Sequence, residues 1–248
     1  MNAKTGFSFP RPEQLEAIKT FYAGINGNDS FDPKAAQSSG VWSANIHCSR
    51  GQLLEKAGMA MVEMLGGSVD GVSADIRLLQ TIAWPVSADV PGLIIMASTS
   101  KMEGGEAIIT LYADLIAQNG TAGESDKEAF TAAIRAVCEK HVRDLAEYQA
   151  FLTGRGMLGT CAAECGMLYF FEESDAAFLD ACINAALQAY RLILETAGSR
   201  AGGDKVLMAE CRAKIKEWMV TQDYGVKVAR QNGIPDDVMG IYGFPPGV

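Results

Sequence analysis

The stretch Trp84 to Ala113, WPVSADVPGLIIMASTSKMEGGEAIITLYA, decides how the rest of the chain is read. Two short Ile-rich cores, Gly92 to Ala97 and Ala107 to Ala113, are bounded by Pro, Gly and Ser. Short apolar runs with such boundaries read as buried strands, although length alone leaves a buried helix segment open. Between them, Ser98 to Glu106 carries glycines and charged residues, the composition of an exposed turn. Two central strands joined by a polar crossing are therefore expected to form the floor of the protein.

Working outward, 248 residues at 48% hydrophobic composition suit one large domain spanning 1–248. Neither a linker nor an internal repeat is visible. A net charge of -9 argues against nucleic acid or an anionic membrane as main partner. The N-terminal MNAKTGFSFPRP lacks a signal-peptide core, and no uninterrupted apolar run reaches bilayer length, so a soluble cytoplasmic protein is expected. Six cysteines in a chain this long do not make a disulfide scaffold. Cys138, Cys182 and Cys211 lie on apolar helical stripes and read as small hydrophobes. Cys161 and Cys165, four apart, allow either a structural reading or a thiolate-metal site with the His47–Cys48 pair.

Pro12 opens a helix with Leu15, Ile18, Phe21, Tyr22 and Ile25 on one face, closed by the GNDSFDP segment from Gly27. Val41 to Cys48 alternates, Trp42, Ala44, Ile46 and Cys48 pointing one way, and turns through Ser49, Arg50 and Gly51 into a strand over Gln52 to Leu65. Gly58 within that strand marks a bulge or a close approach, and Lys56 is expected to pair with Glu55 or Glu63 at a sheet edge. A strand over Ile76 to Trp84 follows. Ser125 and Glu128 have capping-box spacing before a helix lined by Phe130, Ile134, Val137, Cys138 and His141. His141, near the helix end among packing residues, reads as structural.

Asp144 to Leu152 reads as another helix, Gly154 to Gly166 as irregular chain, and Gly166 to Ser174, GMLYFFEES, as a strand ending in two carboxylates. Ser174 or Asp175 is expected to cap a helix facing Phe178, Cys182, Ala185, Leu192 and Ile193 inward. Asp204 caps the next, with Leu207, Cys211, Ile215 and Trp218 on one stripe. The chain closes with strand-like runs at Tyr224 to Arg230 and Met239 to Phe244, around the hairpin signal Asn232-Gly233.

Several of these blocks resemble the aerobic coproporphyrinogen III oxidase family. Its HPxNPxxPTxHxNxR is matched in spacing by Pro85 and Pro91, and its GGGADLTPYY by GGEAIITLYA at Gly104, Gly105, Ala107, Thr110 and Tyr112. LEKAG from Leu54 is similar to its FEKAG; Cys138 and His141 match its ACDxH, and Tyr148 and Phe151 its YxxF. GMLYFFEES resembles GGIFFDDL, and DYGVKVARQNG with GIYGFPPG resembles the family's terminal blocks. The resemblance implies an α+β fold, a flat antiparallel sheet sandwiched between two layers of helices, usually dimeric. It also implies an oxidoreductase chemistry, oxygen-dependent decarboxylation of a tetrapyrrole propionate without metal or organic cofactor.

The polar residues of that chemistry are replaced. Trp84 and Ile94 stand where the family has histidines, Met96 where it has asparagine, Ser98 where it has arginine and Ile108 where it has aspartate. The segment carrying the family's HRxExRG is shortened, which leaves Arg155 as the nearest cation. An isoleucine neither accepts a pyrrole proton nor holds a carboxylate, so the family's activity is not expected. Glu172 and Glu173 keep a carboxylate pair: buried beside Tyr169 or Phe170, one would suit acid–base work, and solvated, the pair would cap the following helix. Arg50, Lys56, Lys101, Lys227 and Arg230 are candidate anion contacts. Trp84, Ile94, Met96 and Ile108 either line an adaptable pocket for a flat, weakly charged ligand such as a tetrapyrrole or have closed into core. A non-catalytic dimeric module on the same fold is the competing expectation.

Overall fold

The computed structural model describes residues 5–28, 31–38, 40–120, 122–156, 161–197 and 202–247, with backbone only at 32–38 and at 197. Six strands form an open antiparallel sheet in sequence order: β2 (Trp42–Ser49), β3 (Leu54–Val69), β4 (Val72–Pro85), β5 (Gly92–Met102), β6 (Ala107–Ile116) and β7 (Met167–Phe171). A further strand, β1 (Asp32–Ser38), pairs with β2 at one edge. Helix α1 (Pro12–Asn26) precedes the sheet. Helices α2 (Glu124–Lys140) and α3 (Leu145–Arg155) lie between β6 and β7, and α4 (Ala176–Ala197), α5 (Lys205–Thr221), α6 (Tyr224–Gln231) and α7 (Asp236–Tyr242) follow.

Alternation along the strands divides the core in two. Ala57, Met59, Leu79, Ile95, Leu111 and Met167 face one way and pack with α1, α2 and α4. Ala60, Val62, Ile82, Ile94, Tyr112 and Leu168 face the other and pack with α5, α6 and α7. Helix α3 contributes Tyr148 to the first cluster and Leu152 to the second. The expected floor is present, with β5 and β6 paired from Gly92–Ile116 to Lys101–Ala107. The polar residues Ser98 to Met102 continue β5 instead of leaving it, because they alternate too: Thr99 is buried and its hydroxyl donates to Phe9 O at 2.5 Å. The crossing shrinks to residues 103–106.

The C-terminal expectation is corrected. Tyr224 to Arg230 and Met239 to Phe244 are not a hairpin but fall largely within α6 and α7. Asp223 caps α6 by accepting from Val226 N at 2.8 Å, and in segments this short a helical stripe has the same apolar content as a strand. Helix α2 starts one residue before Ser125, with Gly123 at its N-cap, so the capping box does not form. Leu192 is 61% exposed, and Leu207 yields its inward place to Met208. With the turn before it, α4 is long and apolar enough to cross a membrane by length and composition, but its inner face is buried in the first cluster. Strand β1 carries no apolar alternation in DPKAAQS and is not read from sequence.

Gly58 marks a close approach. A Cβ there would lie 2.0 Å from Tyr242 O, so only glycine lets α7 rest directly on β3. The register irregularities of β3 lie elsewhere, between Leu54 and Lys56 and between Met64 and Gly67.

Candidate functional site

Strand parity brings Lys56, Trp84, Ile94, Met96, Ser98 and Ile108 to the sheet face that carries α5 to α7. It does not bring them to one place. Trp84 stands one step beyond the Ala83–Leu93 pair, whereas Ile108 pairs with Ser100. At ~3.3 Å per residue these levels are roughly 25 Å apart along the sheet. Trp84 and Ile94 belong to closed core, while Ile108 is 49% exposed.

At the Trp84 end the sheet is sealed by a buried polar network. Arg212 of α5 stacks 5.9 Å from the Trp84 ring and donates to Glu55 Oε2 at 2.7 Å, Pro85 O at 2.9 Å and Gln118 Oε1 at 3.0 Å. The Gln118 amide in turn donates to Ser87 O at 2.8 Å and Val90 O at 2.9 Å. Lys56, opposite Trp84 in register, is buried in the middle of the sheet and not at an edge. Its expected partners are taken, Glu55 by Arg212 and Glu63 by Arg77. Instead Nζ donates to Gly240 O at 2.5 Å and Phe244 O at 2.6 Å, and burial lowers its pKa to about 8. Lys56 therefore anchors α7.

The other cations are also spread out. Arg50 is exposed on the β2–β3 turn and donates to Glu55 O at 3.1 Å. Lys227 pairs with Asp70, Arg230 with Asp236, and Lys101 is exposed at the end of β5.

The opposite quadrant of the same face is less closely packed, largely half-buried and exposed at Ile108 and Phe170. Three cross-strand rows form it: Gln80, Met96, Tyr112 and Leu168; then Leu78, Ser98, Thr110 and Phe170; then Ile76, Ser100 and Ile108. Strand spacing and rise make this floor roughly 14 by 13 Å. Ile76, Leu78, Met96, Ser98 and Thr110 are half-buried, and Phe170 is 47% exposed. Among the described residues, the side chains of Gln80, Ser98, Ser100 and Thr110 have no hydrogen-bond partner, and the buried Tyr112 hydroxyl has none either. Phe151 of α3 packs edge-on at 5.3 Å against Phe170, and Arg155 lies 4.7 Å over the Phe151 ring.

Glu172 and Glu173 sit just past β7, where a single 3-10 turn (Glu173–Asp175) leads into α4. Both are exposed, so the burial that the acid–base reading requires is absent. Glu173 accepts from Ser8, and Glu172 is the N-cap of the turn. By parity Glu172 shares the face of Phe170, next to Ile108 in register.

Two features escaped the sequence. Asp114 is fully buried and accepts from Glu164 N at 2.9 Å, Cys165 N at 3.1 Å and Gly166 N at 3.1 Å. Burial raises its pKa to about 6 against the pull of those amides. A lone aspartate inside the apolar ITLYADLI run was the available signal. The Arg212 network had none, because its members come from α5, β3, β4 and the turn after β6, far apart in sequence. Cys161 and Cys165 pack on opposite faces of the sheet, which separates the proposed thiolate pair. Among the described residues no group of three His, Cys, Asp or Glu is placed to hold a metal ion. His141 caps the end of α2 with its ring 5.4 Å from Phe178. A depression of about 570 Å³, lined by Lys127, Thr131, Arg135, Gln149 and Glu164, lies beside α2 and contains none of the expected ligand residues.

The chain is thus an α+β protein whose open antiparallel sheet carries a largely half-buried, mixed apolar and hydroxyl quadrant, exposed at Ile108 and Phe170. No family model matches it, and no curated protein matches it.

Proposed function

We propose that this chain is a diverged relative of the aerobic coproporphyrinogen III oxidases that binds a flat, weakly charged ring compound, tetrapyrroles being the type. Its sheet between two helical layers is, on this reading, the family's scaffold. The observation that carries the reading is the quadrant itself: Met96, Ser98 and Ile108, which the resemblance aligns with substrate-gripping residues, share one sheet face, Met96 and Ser98 half-buried and Ile108 exposed. Half-buried apolar side chains interleaved with unpartnered hydroxyls suit a planar ligand with hydrogen-bonding edges. A footprint of roughly 180 Å², from the strand spacings, is far below the ~800 Å² per partner of a stable protein interface, which favours a small molecule.

With the aligned histidines and aspartate replaced, binding comes before any reaction. Of the aligned carboxylate pair, Glu172 is the one beside the floor. A soluble cytoplasmic homodimer is part of the proposal. The second reading, a non-catalytic dimeric module, draws on the exposed Ile108, Phe170 and Met102 as contact residues. Visible-absorption titration with porphyrins and haem, paired with a mass measurement in solution, separates the two. Saturable spectral shifts support the ligand site; a dimer with no shift for any ring compound supports the module.

A further inference from the structure

Among the described residues, one cation is linked to this quadrant by ring contacts. Arg155, at the end of α3, lies over the Phe151 ring at 4.7 Å, and Phe151 packs at 5.3 Å on Phe170, the outermost floor residue of the middle row. A guanidinium held against a ring face by cation–π attraction keeps its N–H donors for another partner. Among the described residues no carboxylate pairs with Arg155, as none does with Arg135 or Arg191, whereas Arg11, Arg77, Arg143, Arg212 and Arg230 each pair with one. The floor itself has only neutral groups: the hydroxyls of Ser98, Ser100, Thr110 and Tyr112 and the Gln80 amide. On the same β7 side stands the exposed carboxylate Glu172.

Resting on the ligand reading above, we infer that Arg155 is the single anion-binding residue of this site, and that the site selects planar ring compounds bearing one carboxylate. The first carboxylate meets the guanidinium edge in a paired hydrogen bond. A second or third would meet only the neutral donors Ser98, Ser100, Thr110 and Gln80 or face Glu172, and would lose hydration without gaining an opposite charge. A neutral ring keeps the apolar contact and loses the ion pair.

The test uses the full chain and three probes: pyropheophorbide a, with one carboxylate; its methyl ester, with none; and coproporphyrin III, with four. Fluorescence titration is expected to rank the acid tightest, the ester roughly tenfold weaker and coproporphyrin weakest, the tenfold being the usual worth of a charge-assisted hydrogen bond. Arg155→Ala should bring the acid to the level of the ester and leave the ester unchanged, and Arg155→Lys should recover part of the difference. Equal binding of acid and ester, unmoved by Arg155→Ala, overturns the arginine's role while leaving the ligand site standing. Coproporphyrin binding tightest overturns the one-carboxylate selectivity. If none of the three binds, the ligand reading falls and this inference with it.

Discussion

Lys56 Nζ lies 2.5 Å from the carbonyl oxygen of Gly240, so a buried amine on β3 holds the end of the last helix. Two strong backbone acceptors replace the carboxylate that a buried ammonium usually requires. Folding lowers the Lys56 pKa to about 8, below its unfolded value, so between those values the unfolded chain binds more protons and stability rises with pH. Below pH 8 the cost of burying the charge is fully present. Urea denaturation of wild type and Lys56→Met from pH 7.5 to 9.5 should show a rise in wild type that the variant lacks. Above that range the buried tyrosines Tyr22 and Tyr242, whose pKa values are raised, act in the opposite direction.

Asp114 makes the reverse prediction. Its pKa is raised to about 6, so between about pH 4 and 6 the folded state binds more protons and stability falls as pH rises. Asp114→Asn should remove that slope, whose full size is on the order of 3 kcal/mol. Asp114→Ala should cost more at neutral pH, about 3 kcal/mol or above, because three buried amides lose their acceptor. Chemical denaturation at pH 4, 5, 6 and 7 checks both.

Gly58→Ala should destabilise by roughly 1–3 kcal/mol, since its methyl would meet Tyr242 O and push α7 off the sheet. Hydrogen exchange should show the loss concentrated in α7. An unchanged midpoint would mean that α7 does not rest on β3 as described.

Arg212→Met should cost about 3–5 kcal/mol, the range for breaking a buried charged network by removing one partner. The exposure of Glu55 places the value toward the lower end. Thermal unfolding measures it.

How much of this was legible varies by element. Strands β2 to β6 were, because Trp42, Ala44, Ile46 and Cys48 alternate in the sequence as they do in the fold. Helices α6 and α7 were not, because seven or eight residues hold too few turns for a period of 3.6 to separate from a period of 2. Lys56 looked like an edge residue because the helix that buries it lies some 180 positions later, with nothing local to announce it. The candidate residues were legible as a face but not as a place. Parity puts Trp84 and Ile108 on the same side of the sheet, yet only the packing of α5 to α7 decides that one is core and the other open.

The family's own reaction is predicted to be absent. Carbon dioxide release from coproporphyrinogen III in air should stay at the uncatalysed rate, since Ile94, Met96, Ser98 and Ile108 supply neither proton acceptor nor anion grip. Brisk turnover would place the required groups somewhere other than this face.

The most direct measurement is an equilibrium visible-absorption titration of wild type and Ile108→Lys with the methyl ester of pyropheophorbide a, a flat ring without a carboxylate. Ile108 is half exposed, so the variant should fold normally. The account predicts saturable binding of one ring per chain, weakened roughly tenfold or more when a charged side chain replaces the isoleucine on the floor. No spectral change with wild type, or identical binding by the variant, would contradict it.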